Sequence, residues 1–254
     1  MARACRRHTR AVVLARSTYL STLVSAGNEL AVRAEGNLGV AVPMCPEWTI
    51  GDLVWHVTQV HSFWNQIAQT GLAGPENVTR YEAPDDGELL SVYSAGVATL
   101  AYTLEHAHDS DACWTWAGPR DSAWIIRRMA HETAVHAWDA ANAIGNPMPL
   151  NAELASDGID EFVHVMIPHA AKNTEALHGS VHIHCTDVAG EWLVVPQPGG
   201  ELLVTREHAK GDCAIRGTAS DINVALWRRL PQSSLEVIGD TNVAAQFLAI
   251  ANND

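Results

Sequence analysis

Four segments free of internal proline, each roughly twenty residues long, carry apolar side chains at three- and four-residue spacing, and this limits the possible folds more than any other feature. The first runs from Val12 to about Glu35. A turn cluster (Gly36, Asn37, Gly39, Pro43, Pro46) separates it from the second, where Ile50, Leu53, Val54, Val57, Val60, Phe63, Trp64 and Ile67 recur before Gly71. Thr49 and Asp52 open this segment as a T-x-x-D start, a relative of the capping box. The third, about Glu88 to His108, follows the loop Pro84-Asp-Asp-Gly87 and carries Leu89, Leu90, Val92, Val97, Leu100 and Leu104. The fourth begins beyond Gly118-Pro119, with Asp121 or Ser122 as N-cap, and ends at Gly145, where a helix-terminating glycine belongs. A helix with one apolar stripe must bury it, and four of matched length do so together, which predicts a four-helix bundle. A fifth helix, about Glu153 to His169, reads as a connector or an extra packing layer.

The period changes after Gly179. Ser180–Cys185 alternates with period two and Trp192–Val195 follows the turn Asp187–Gly190, which predicts a hairpin. Strands at Glu201–Arg206, Asp212–Arg216 and Ser234–Ile238, and helices at Ser220–Leu230 and from Thr241, complete a small domain. The expected fold is a two-domain α plus α/β chain, a helical bundle followed by a small α+β domain, with the boundary near 172–180.

The chain has 47% apolar and 18% charged residues, enough to build a core. Its net charge is −13, yet the first sixteen residues hold five arginines (Arg3, Arg6, Arg7, Arg10, Arg16) and no acid. The rest carries 11 basic against 29 acidic side chains, a balance that repels phosphate backbones and argues against nucleic acid as a partner. The basic start lacks the apolar stretch of a targeting peptide and reads as a mobile tail. No apolar run has the roughly 18 residues of a membrane helix. Cysteines 5, 45, 113, 185 and 213 are odd in number and widely spaced, which fits a reducing cytoplasm rather than a disulfide framework.

The chemistry concentrates in the fourth helix. Glu132 and His136 lie one turn apart on one face, with Asp139 a further turn along, so an oxygen and a nitrogen can meet one cation. The same spacing also serves a solvated face or an internal hydrogen bond. Val135 stands where a zincin would need histidine, and His131 points about 100° around the helix from Glu132. A third ligand must come from elsewhere, and His56, among the inward-facing Leu53, Val57, Val60 and Phe63, is the best candidate. Three protein ligands leave coordination positions open, as in catalytic metal sites. His61 reads as a surface or supporting histidine. His182 and His184 share a strand face and could chelate, but without a third ligand nearby in sequence they read as exposed strand residues. Trp48, Trp55, Trp64, Trp114, Trp116, Trp124 and Trp138 read mostly as core, and Cys45 as a packing residue.

Val42-Pro-Met-Cys-Pro-Glu-Trp-Thr-Ile-Gly-Asp-Leu-Val-Trp-His56, followed by His61 and Trp64, resembles the opening motif of the mycothiol-dependent maleylpyruvate isomerase family. Arg127-Arg-Met-Ala-His-Glu-Thr-Ala-Val-His-Ala-Trp-Asp139 resembles that family's metal-binding helix, and Gly217–Arg229 its small sterol-carrier-like domain. The resemblance implies a DinB-like bundle over 12–172 and a sterol-carrier-like α+β domain over 178–252. It also implies a divalent metal, zinc first, held by His56, Glu132 and His136. The family isomerase uses an arginine of its C-terminal domain, for which Arg229 is the counterpart and Arg228 the neighbouring alternative. Ala137, where the family often has arginine, and the basic extension before Val12 depart from the pattern.

The activity so implied is a cytoplasmic, mycothiol-using transferase or isomerase acting on a small electrophile. Thiols of pKa near 8.5 are mostly protonated at neutral pH, and a coordinating cation makes the nucleophilic thiolate. Arg228 or Arg229 could hold a substrate carboxylate or developing enolate. A metal-dependent hydrolase on the same scaffold and a non-enzymatic binding module are the alternative readings. The resemblance fixes neither the electrophile nor the oligomeric state.

Overall fold

The computed structural model describes residues 13–70, 74–170 and 174–251. Arg3, Arg6, Arg7, Arg10, Cys5, Val12, Gly71 and the expected domain ends at 172 and 252 lie outside the described residues. Two compact units emerge, one spanning Ala15–Met148 and the other starting at Pro149.

In the first unit helix α1 (Arg16–Ala34) buries Tyr19, Leu23, Gly27, Leu30 and Ala34, one stripe at three- and four-residue spacing. A short antiparallel pair, β1 (Ala41–Val42) and β2 (Cys45–Thr49), occupies what reads in sequence as a turn cluster, and leads into α2 (Ile50–Thr70). The start of α2 is a reciprocal cap. Thr49 N donates to Asp52 Oδ2 at 2.8 Å, and Asp52 N donates to Thr49 Oγ1 at 3.2 Å. The Thr49 hydroxyl also donates to Asp52 Oδ2 at 2.7 Å, and this bond, with that from Thr49 N, holds the Asp52 carboxyl below its ordinary pKa.

Helix α3 (Asp86–His106) buries Leu89, Tyr93, Val97, Leu100 and Leu104. Leu90 and Val92, expected on that stripe, lie off it, and Val92 is exposed. α1 approaches α3 so closely that a Cβ on Gly27 would stand 2.8 Å from Val97 Cγ1. A second two-residue pair, β3 (Ala112–Cys113) with β4 (Arg120–Asp121), precedes α4 (Ser122–Ala143). Asp121 caps α4 by accepting from Trp124 N at 3.0 Å, and Gly145, at φ +74°, ends it. α4 packs against α1 and α2, and α3 packs against α1 and α2. This is the expected four-helix bundle.

The second unit begins with α5 (Ala152–Glu161), a π-helical turn (Phe162–Met166) and α6 (Ile167–Ala170), one continuous helical segment. A five-stranded sheet follows: β5 (Val181–Cys185), β6 (Glu191–Pro196), β7 (Leu202–Thr205), β8 (Cys213–Gly217) and β9 (Glu236–Gly239), in the order β7-β6-β5-β8-β9. Only the β5–β8 pair is parallel. Helices α7 (Ala219–Leu226) and α8 (Thr241–Ile250) complete it.

The chain divides at Pro149 rather than near 172–180 because α5 packs on α7. Leu150 N donates to Ser220 Oγ at 2.9 Å and Trp192 Nε1 donates to Asp160 Oδ1 at 3.0 Å, fastening α5 to the sheet unit. Helix α7 stops four residues before the expected Leu230. Arg228 adopts the left-handed conformation (φ +63°), and Arg228 N and Arg229 N close on the carbonyls of Ala225 and Val224, a Schellman ending with arginine in the usual glycine place. Among the described residues no helix is long and apolar enough to cross a membrane.

Candidate metal centre

α2 carries His56 and α4 carries Glu132 and His136, and the packing of these helices brings the three together. Their candidate ligand atoms lie within 4.8 Å of one another. His136 Nε2 stands 3.1 Å and His56 Nε2 3.6 Å from the same oxygen, Glu132 Oε1. The other oxygen, Oε2, is gripped by Arg128, one turn back on α4 and buried to 3% exposure. Arg128 therefore fixes the carboxylate so that Oε1 faces the two imidazoles. Trp48 lies against the His56 ring, with centroids 4.9 Å apart.

His136 is held from both sides. A carboxylate only accepts, so the Nδ1–H of His136 donates to Asp139 Oδ2 at 3.0 Å, the contact the helix spacing allowed. Nε2 faces a second carboxylate, Glu132. Burial works against protonation of His136, but the hydrogen bonds to Asp139 and Glu132 prevail and push its pKa up to about 9. Burial likewise works to raise Glu132, yet the Arg128 guanidinium and the hydrogen bonds of His136 and His56 hold it well below the usual carboxylate range. Two carboxylates bracketing one imidazole call for a positive charge between His136 and Glu132, supplied by a proton or by a metal ion. Two imidazole nitrogens and one carboxylate oxygen are a donor set suited to zinc and similar divalent ions. The residues fit the group.

The model of the mycothiol maleylpyruvate isomerase N-terminal domain matches residues 26–141, and that of the MDMPI C-terminal domain matches 153–246. The chain belongs to the mycothiol-dependent maleylpyruvate isomerase family. No curated protein sequence matches it. Two solved structures share the family fold at 13% identity, each alignment covering 88% of this chain and 93% of the other. They are a mycothiol-dependent maleylpyruvate isomerase, at TM-score 0.58, and a histidine-to-alanine mutant of such an enzyme, at 0.59.

Relative to the family reading, several residues fall differently. His56 keeps a third of its side chain exposed (34%), because it sits at the rim of the core and lines a cavity of about 630 Å³ with Trp55, Phe63, Trp64, Val78 and Val92. His61 is not a surface residue. It is buried between α2 and α4, its Nε2 is 2.8 Å from Thr133 Oγ1, and burial lowers its pKa to about 4. His131 is buried edge-on to Tyr19 and takes no part in the cluster.

Of the seven bundle tryptophans only Trp64 and Trp138 are buried. Trp116 meets Trp124 edge-to-face, Trp124 lies tilted against Trp64, and Trp64 meets Phe63 edge-to-face, a chain of ring contacts joining α2 and α4. Cys45 is half-buried in β2, and Cys45, Cys113, Cys185 and Cys213 form no disulfide. Arg228 and Arg229 belong to the second unit, just past α7. Arg229 Nη1 donates to the Trp227 carbonyl at 2.7 Å, and its guanidinium carbon lies 5.8 Å from the Trp227 ring centroid. Sequence reasoning passed over Arg128 as the partner of Glu132, although the i, i+4 spacing signals it.

Proposed function

We propose that this protein is a metal-dependent enzyme that uses mycothiol to isomerise or conjugate a small electrophile. The observation that carries the reading is the convergence of His56, Glu132 and His136, of which His56 also lines a largely apolar cavity with room for a substrate. A divalent cation, zinc first, held by these three side chains would supply the charge that converts a thiol to its thiolate near neutral pH.

The chain's own residues do the rest. Arg128 orients the Glu132 carboxylate, and Asp139 fixes the tautomer of His136 so that Nε2 faces the site. The largely apolar walls of the cavity beside His56 would seat the electrophile. In an isomerisation the sulfur adds to an activated double bond, the new single bond rotates, and elimination returns the thiol with the geometry changed. Arg229, with Arg228 as the alternative, is the proposed cation for the substrate carboxylate or the enolate that addition creates. Its Nη1 donates to the Trp227 carbonyl at 2.7 Å, which orients the guanidinium.

The test is turnover of activated alkenes and epoxides by the full chain with and without mycothiol, before and after chelation. The expected result is activity that needs both thiol and metal, restored by zinc, with His136→Ala slowing turnover at least about 10³-fold. Thiol-independent turnover would assign a hydrolase instead, and full activity in metal-free protein would overturn the reading.

A further inference from the structure

The second unit gathers a different cluster. β5 places His182 and His184 on one face, and the antiparallel register sets Glu191 of β6 directly opposite His184. The segment after β7 adds His208. Glu191 Oε1 is 3.0 Å from His184 Nδ1, and Oε2 is 2.6 Å from His208 Nδ1 and 3.4 Å from His182 Nε2. One donor atom from each of the four lies within 4.8 Å of the others. The three imidazole rings face one another edge-on, with centroids 5.2 to 6.3 Å apart.

A second observation points to a ligand. His182 is 93% buried by its neighbours (7% exposed), and its Nε2 makes no hydrogen bond although it is turned toward Glu191. A buried imidazole nitrogen without a partner costs roughly 1–3 kcal/mol. Three imidazoles crowd around one carboxylate, and a cation among them would give that nitrogen a partner.

We propose that His182, His184, Glu191 and His208 form a second binding site for a divalent transition cation of the zinc type. Three nitrogens and one oxygen complete a tetrahedral sphere, which marks a structural ion rather than a catalytic one. Zinc–nitrogen bonds of about 2.0–2.1 Å require the four donors to draw in slightly, and His208, whose side chain is 72% exposed, is free to move. The bound ion would clip β5, β6 and the segment after β7 together. His208 Nδ1, which carries the hydrogen it donates to Glu191, releases that hydrogen or moves it to Nε2 when the cation takes its place.

The experiment is zinc titration and elemental analysis of the chelator-stripped full chain, in wild type and in a His56→Ala/His136→Ala background that removes the bundle site. The background protein is expected to keep one zinc per chain and to show cobalt absorption bands of tetrahedral intensity. Adding His208→Ala, an exposed position whose loss leaves the core intact, should weaken that zinc by at least about tenfold with an unchanged circular dichroism spectrum. A background protein that binds no zinc, or a His208→Ala variant with undiminished affinity, overturns the proposal. Failure of the bundle site alone reads differently: wild type then binds a single zinc, and His208→Ala removes it.

Discussion

In the helical unit Glu132 gives one oxygen to Arg128 and turns the other toward two imidazoles, whereas in the sheet unit Asp160 engages both oxygens with permanent donors. Asp160 Oδ1 accepts from Trp192 Nε1 at 3.0 Å and Arg206 Nε at 2.6 Å, and Oδ2 accepts from Arg206 Nη2 at 2.8 Å. Asp160 is buried and Glu132 largely so, and both are neutralised by an arginine. Asp160 is closed by hydrogen bonds that need nothing further, and its role is to tie α5 to the sheet. Glu132 is neutralised on one side only, so its second oxygen stays available to a cation. What separates the structural carboxylate from the candidate ligand is the second oxygen, which at Glu132 meets two imidazoles that can share a cation with it and at Asp160 meets fixed N–H donors.

That contrast breaks most visibly at Asp160. Asp160→Ala leaves Arg206 and the Trp192 N–H facing a gap and should cost about 3–5 kcal/mol in urea unfolding. Burial would raise the Asp160 pKa, but the hydrogen bonds of His164, Arg206 and Trp192 hold it far below the ordinary carboxylate value. The stability it contributes is therefore present above the unfolded pKa near 4 and is lost as pH falls further. Glu132→Gln should instead abolish metal binding at the bundle site while costing less stability, since the amide oxygen still accepts from Arg128. An Asp160→Ala variant as stable as wild type would erase the distinction.

A pH series sharpens it next. His61 is buried with its pKa lowered to about 4, while an unfolded imidazole protonates near pH 6.5. Between those values the unfolded state takes up a proton that the folded state refuses, so stability falls with falling pH, by up to about 3 kcal/mol. His136 has the opposite sign. Its pKa is raised to about 9, so in metal-free protein its contribution is complete below pH 6.5 and is lost as pH rises through 9. Urea unfolding of chelated protein from pH 4.5 to 9 should give maximal stability near pH 6.5. His61→Gln should flatten the acid arm, and saturating zinc the alkaline arm. An acid arm unchanged in His61→Gln would show that His61 is protonated in the fold.

The bundle was legible because helical periodicity is local. Apolar stripes place each helix, the Thr49/Asp52 pair marks a start, and Gly145 marks an end. Glu132, His136 and Asp139 were readable as a group for the same reason, one helix face being enough to align them. The sheet cluster was not. His182 and His184 share a strand, but Glu191 depends on hairpin register and His208 on where the chain passes after β7, and neither follows from spacing. Burial also escaped. His61 and His56 lie on the same helix, and only the packing of α4 buries the first and leaves the second at a cavity rim. The helix end at Arg228 was hidden because nothing in an arginine signals a left-handed residue, and the division at Pro149 because α5 looks as amphipathic on the sheet as it would on the bundle.

The smallest effect tests how the two cation clusters differ in preparation. In the bundle, Asp139 is itself buried and locks the ring of His136 before any metal arrives. Asn at 139 has the same shape but can turn its amide N–H₂ toward Nδ1, which moves the ring hydrogen to Nε2 and blocks the ligand nitrogen. Asp139→Asn should therefore weaken zinc at the bundle site by about 10–100-fold, equivalent to about 1.4–2.7 kcal/mol, read by competition with a chromophoric chelator. In the sheet cluster the bonds to His184 and His208 come from Glu191, itself a proposed ligand, so ordering and binding are the same event there. The bundle site should accordingly bind zinc more tightly than the sheet site in wild type, and Asp139→Asn should narrow that gap. If the substitution leaves the bundle affinity unchanged, His136 is oriented by helix packing alone and Asp139 serves the fold rather than the metal.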